Sequence, residues 1–209
     1  MRPEPGQVLH FSEDPAITRF VPHVAATAQQ SNPYVWAVGR DRAPDCWFPR
    51  QCPRAMAWTG PHTTSHDRER ILGAGCGDRV NAIEYGRLDA LRTVQLWAYR
   101  LPAKDFEPFG APDPHAQVFM RAVTPVGDLL ALHEAARIQL RVLDSLWPLW
   151  YAITGNSVLF SGIRLSKAQP RPRARAGLRA GARAEGALKR HGRAARGGQC
   201  LGGASFDVR

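Results

Sequence analysis

The chain has 209 residues, with 28 lysines and arginines against 18 acidic residues and a formal net charge of +10. The excess is local: Lys167 to Arg209 hold 11 basic and 2 acidic residues, which leaves 17 and 16 for residues 1–166. A near-neutral body excludes a globally basic nucleic-acid-binding domain, and the composition excludes a collagen, a coiled coil and a disordered body.

A body of this length buries roughly 70% of its unfolded surface and needs no covalent staple. Gln7–Phe11 reads as a first short strand. Ser12-Glu13-Asp14-Pro15 then has the chemistry of a helix start, and Ala16, Ile17 and Phe20 predict one short helical turn. Tyr34–Val38 is β-branched and aromatic and predicts a buried strand. Asp41–Phe48 predicts a helical turn, Arg54–Thr59 a strand, and Ser65–Ile71 a short helix capped by Ser65. Val80–Tyr85, Val94–Leu101, Gln117–Val123, Ile138–Val142 and Phe160–Leu165 predict further strands. Arg87–Arg92 predicts another helical turn, and the proline-rich stretch from Pro102 to Pro114 reads as loop. Thr124-Pro125 opens a predicted helix with Val126, Leu129, Leu130 and His133 on one face, and Ser145 caps a last one carrying Trp147, Trp150 and Tyr151. The lack of a β-α-β rhythm argues for an α+β fold with a mainly antiparallel sheet of about seven strands and several short helices. Residues 1–166 are one globular domain in this reading.

From Lys167 onward the chain is built from Ala, Gly and Arg without apolar periodicity, so residues 167–209 are expected to be a disordered basic tail. Two origins stay open: a GC-rich gene read in a shifted frame, or an arm that contacts phosphates non-specifically. The N-terminus is polar and proline-rich, no window nears the ~20 apolar residues of a membrane span, and Cys46, Cys52, Cys76 and Cys200 form no regular framework. The expectation is a reduced, cytoplasmic protein with no membrane partner.

Five strings are jointly familiar: Leu9 to Pro15, Tyr34-Val35-Trp36-Ala37, Phe48-Pro49-Arg50-Gln51-Cys52-Pro53-Arg54, Ser145 to Trp150, and Phe160-Ser161-Gly162-Ile163-Arg164. Together they resemble a bacterial family classed as a domain of unknown function, over about Val8 to Leu165. The resemblance implies no activity. The opening strand, with His10 followed by Ser12 and a turn, is also similar to the start of ADP-ribosyltransferase-like folds. That likeness implies NAD as cofactor and a catalytic set of His10 at the ribose, Tyr34 on the nicotinamide and Glu84 beside the leaving group. Glu84 is chosen by position, since no Glu-x-Glu occurs.

The residues themselves suggest a ligand site. Arg50 and Arg54 flank a proline-stiffened turn and suit a phosphate or carboxylate, with Ser12 beside His10 as a further ligand-binding group. Alternation along the first strand sends His10 and Ser12 away from Leu9 and Phe11. If the latter pair faces the core, His10 faces a cleft and His10→Ala leaves stability almost unchanged. Cys46, Cys52, His62 and His66 have spacings that suit zinc poorly, so no metal site is expected. Two functions follow: an enzyme or enzyme relic binding a nucleotide or small anion, or a non-catalytic binding or protein-interaction module.

Overall fold

The computed structural model describes residues 1–24, 31–73, 77–110, 114–132 and 139–170. Among them the strands are β1 (Gln7–Ser12), β2 (Val35–Ala37), β3 (Arg54–Trp58), β4 (Arg79–Glu84), β5 (Leu96–Pro102), β6 (Glu107–Phe109), β7 (Ala116–Phe119), β8 (Leu130–Leu132), β9 (Leu140–Leu143) and β10 (Leu159–Ile163). The helices are α1 (Ser65–Asp67), continued by a π-helical turn over Arg68–Leu72, α2 (Leu88–Thr93) and α3 (Trp147–Thr154), with short 3-10 turns elsewhere. The strands form three sheets, in the orders β1-β5-β8, β10-β3-β4-β9 and β2-β7-β6. Among the described strand pairs all are antiparallel except β4 with β9. The fold is α+β.

The second sheet organises the molecule. One face of β3 and β4 carries Ala55, Ala57, Val80 and Ala82 beneath Leu146 and Ile153, which are completely buried. Small strand residues let α3 lie close, and each of the two large aliphatics contributes roughly 1.5–3 kcal/mol by leaving water. Gly162 on β10 belongs to the same contact, because a Cβ there would stand 2.8 Å from the Trp150 ring. The opposite face follows from strand alternation. It carries Arg54, Met56 and Trp58 of β3 opposite Ile83, Asn81 and Arg79 of β4. A second core, with Val8, Phe20, Val35, Tyr99, Leu101 and Phe106, joins the first sheet to β2.

Several expectations change. The single sheet of about seven strands is replaced by three small ones. Both faces of β1 are buried, Val8, Leu9 and His10 alike, so alternation along it does not separate core from solvent. The turn after β1 is not helical. Ser12 Oγ accepts from Asp14 N at 3.1 Å and Asp14 Oδ1 from Ala16 N at 2.8 Å, so the side chains take the amides that a helix would leave open. The helix expected from Thr124 is absent. Val123 bridges Phe20, Val126 N donates to Arg100 O, and Gly127 adopts φ 66°, after which the chain enters β8. His133 lies outside the described residues. The proline-rich stretch contains β6, and Thr64 rather than Ser65 caps α1 by accepting from Asp67 N.

The body also runs past residue 166. Gln169 N donates to both Glu84 carboxylate oxygens at 2.9 Å, and Trp147 Nε1 donates to Gln169 O at 2.6 Å. The expected tail from residue 171 on, with Cys200, lies outside the described residues. No helix among the described residues is long and apolar enough to cross a membrane.

Candidate functional site

β1 meets the end of β2 through a reciprocal pair of backbone hydrogen bonds, Leu9 N to Val38 O at 3.0 Å and Val38 N to Leu9 O at 2.8 Å. The chain then turns through the 3-10 segment Ala43–Cys46 and returns past Phe48 to the start of β3. Arg50 N donates to the Glu13 carboxylate at 2.7 Å and ties that return to the turn after β1. Between these elements lies a recess of about 70 Å³, lined by His10, Ser12, Cys46, Phe48, Arg50 and Arg54 among others. A water needs roughly 10–15 Å³ on the same measure, so the space holds a handful of waters or one small ion. Pockets for drug-sized ligands span roughly 300–1,000 Å³.

His10 is 6% exposed, its ring tilted against Phe20 at 4.6 Å between centroids. Its Nδ1 lies 2.8 Å from Trp36 O. A carbonyl only accepts, so Nδ1 carries the proton and donates. Burial is the main force holding the imidazole pKa down, to about 4, with His23 and Arg50 adding to it against the pull of the Trp36 bond. The ring is therefore neutral near pH 7, and Nε2 presents a lone pair that is buried and has no partner. Such an orphaned acceptor costs roughly 1–3 kcal/mol.

Arg54 is 4% exposed. Its Nε donates to Asp45 O at 2.7 Å and its Nη1 to Cys52 O at 3.0 Å, with the guanidinium 5.1 Å from the Phe48 ring centre. Both acceptors are neutral carbonyls, and no carboxylate oxygen among the described residues lies within 4.0 Å. Burial lowers its pKa, an effect opposed by Cys46, Cys52 and Asp45. An ion taken out of water without a counter-charge costs several kcal/mol, and an anion in the recess offsets that cost directly. Ser12 spends its oxygen on Asp14 N and keeps its O–H for another acceptor. The thiols are poor nucleophiles. Burial pushes Cys46 up to about 11 and raises Cys52 as well, against the opposing pull of Arg54.

The structure thus brings together four of the six residues singled out from the sequence: His10, Ser12, Arg50 and Arg54. Tyr34 and Glu84 do not line the recess. Tyr34 packs edge-on against Trp36 at 5.7 Å and against Phe109 at 5.6 Å. Glu84 is buried at the end of β4, and its oxygens are taken by Gln169 N and by Leu146 N. His10 shares its strand face with Val8, opposite Leu101 and Tyr99, and is enclosed by Phe20 on one side while it borders the recess on the other. Truncation in His10→Ala removes the buried bond to Trp36 O, which argues against the expectation that it is neutral for stability. Cys46 and Phe48 were not singled out as site residues; Phe48 stands within the Phe-Pro-Arg string that carries the arginines. Among the described residues no three His, Cys, Asp or Glu side chains converge as a metal-ligand set.

No curated protein and no solved structure matches the chain. A family model does match, over residues 9–168, a span that contains every residue lining the recess. The chain belongs to the family of unknown function DUF6886.

Proposed function

We propose that the recess binds a small hydroxylated anion, with monohydrogen phosphate or a hydroxycarboxylate as the chemical class, and that the chain acts as a binding protein for it. The observation that carries this reading is the pairing of a buried, carboxylate-free Arg54 with the unpartnered Nε2 of a neutral His10 in one small recess. An anion alone would satisfy the arginine and repel the lone pair. An anion that also carries a hydroxyl satisfies both, with Ser12 O–H as a second donor.

The recess is far smaller than a dinucleotide, so a small anion suits it better than NAD. Binding also suits it better than turnover. A histidine with a pKa of about 4 is a weak base near pH 7, and a thiol at about 11 is almost wholly protonated. Tyr34 and Glu84 have no part in this reading. The free thiols of Cys46 and Cys52 support a reducing, cytoplasmic setting in a bacterial cell. The basic residues from Lys167 on support non-specific phosphate contact alone.

Calorimetric titration at pH 7 tests the reading, because sulfate matches phosphate in shape and charge but carries no proton there. The parent is expected to bind inorganic phosphate at least tenfold more tightly than sulfate. Arg54→Met is expected to weaken phosphate at least tenfold. His10→Asn keeps a donor for Trp36 O while withdrawing the Nε2 acceptor, and is expected to erase the preference over sulfate. Equal affinity for both ions in the parent, or no binding of either, overturns the proposal. Where Arg54→Met fails to fold, Arg50→Ala on the recess rim replaces it, with a loss of a few-fold expected.

A further inference from the structure

On the far side of the Ala43–Cys46 turn, the polar face of the second sheet opens into a larger cavity of about 810 Å³. Its floor includes Trp58, and its walls carry Arg42 and Arg79, with Arg2 and Arg40 on the exposed rim. Both wall arginines lie over the same indole. The guanidinium carbon of Arg42 is 4.1 Å from the Trp58 ring centre and that of Arg79 is 4.6 Å away. Contact with the indole holds both guanidiniums at the cavity wall rather than leaving them free in solvent.

The two arginines are not equally satisfied. Arg79 donates from Nη1 to the Asp45 carboxylate at 2.5 Å and from Nη2 to Asp41 O at 2.7 Å. Arg42 has only an ion pair, Nε to Asp45 Oδ2 at 3.3 Å, without hydrogen-bond geometry, and its Nε and Nη1 are buried with no acceptor. Its side chain is 11% exposed. A guanidinium has five donors and no acceptor, and burying it with none of the five well matched is costly. Asp45 meets Arg42 through Oδ2 alone, opposite Nε, and leaves Nη1 without an acceptor. It is shared with Arg79, and burial works against its ionised form even with Arg42, Arg79 and Arg54 around it. The face therefore holds a fixed guanidinium, buried at Nε and Nη1 and met by the shared Asp45 alone, beside a second fixed arginine and two exposed ones.

We propose that this cavity is a second binding site, for a small phosphorylated molecule whose phosphate or pyrophosphate group is gripped by Arg42 and Arg79 over Trp58. Planar guanidiniums meet phosphate oxygens bidentately, and the volume lies within the range of small-molecule pockets rather than that of a lone ion. The site is separate from the His10 recess. The turn between them contributes Arg42 to one side and Cys46 to the other, with Arg54 Nε bonded to Asp45 O as the shared wall.

Titration of the full chain with inorganic pyrophosphate tests this, with the residues from Lys167 on giving a salt-sensitive background common to every variant. Saturable binding is expected, weakened at least tenfold in Arg42→Gln and unchanged in His10→Asn. The exposed Arg40→Glu is expected to weaken it about fivefold, and it keeps the proposal testable where Arg42→Gln does not fold. Parent-like affinity in a folded Arg42→Gln, or in Arg40→Glu, overturns the proposal. So does Arg42-dependent binding of a single-stranded oligonucleotide that is tighter than that of pyrophosphate, because the site would then serve a polymer. A loss of pyrophosphate binding in His10→Asn as well would place the ion in the recess and not here.

Discussion

His10 illustrates how one side chain can carry a measurable pH dependence. Its pKa is about 4 in the folded chain against 6.5 for a free imidazole, so the unfolded chain holds the proton more readily. The associated stability is complete above about pH 6.5 and falls as the pH drops toward 4, by at most about 3 kcal/mol. Urea unfolding at pH 7 and pH 4.5 is expected to show the parent losing about 2 kcal/mol more than His10→Asn over that interval. Equal losses would mean that the imidazole is solvated. Cys46 gives a second check. A thiol raised to about 11 reacts slowly, so its alkylation by iodoacetamide at neutral pH should be at least about a hundredfold slower in the folded than in the unfolded chain. Equal rates would contradict its burial. Residue types were legible at this scale: the Phe-Pro-Arg string pointed to Arg50 and Arg54, and the strand histidine to His10. Their solvation was not, because the Phe20 ring and the Trp36 carbonyl that enclose His10 come from other parts of the chain.

At the scale of elements, β-branched and aromatic runs were read well, and helical spacing misled twice, at Ala16 to Phe20 and after Thr124. Val126, Leu129 and Leu130 fit one face of a helix, yet Val126 N is taken by Arg100 O and Gly127 sits at φ 66°. An interstrand contact made across the sheet outweighs a local pattern. Gly127→Ala is therefore expected to cost about 1 kcal/mol, read as a fall in melting temperature, where a helix at this position would instead be stabilised. The segment from Lys167 to Pro170 makes a similar point. Truncation after Pro170 keeps the bonds of Gln169 to Glu84 and Trp147, whereas truncation after Ser166 leaves the Glu84 carboxylate buried with a single amide partner. Thermal unfolding is expected to place the shorter chain several degrees below the longer one. Coincident transitions would show that the Gln169 contacts contribute nothing. Nothing in the Ala- and Arg-rich composition announced that its first residues complete the body.

For the whole molecule, the fold class followed from the absence of a β-α-β rhythm, but the division into three sheets did not, because pairings such as Leu9 with Val38 and Phe20 with Val123 are single bridges between distant segments. The Leu9–Val38 bridge and the bond from Arg50 N to Glu13 make the recess, by bringing the turn after β1 against the return from Phe48 to Arg54. In the function proposed above, the recess holds an anion that donates a hydrogen bond to Nε2 of His10 while Arg54 neutralises it. The most direct test is the nitrogen-15 NMR signal of His10 Nε2 in histidine-labelled protein at pH 7, assigned by its loss in His10→Asn. The expected result is a non-protonated Nε2 that moves saturably on addition of inorganic phosphate and stays in place on addition of sulfate. An Nε2 signal unmoved by saturating phosphate, or moved equally by sulfate, would contradict it.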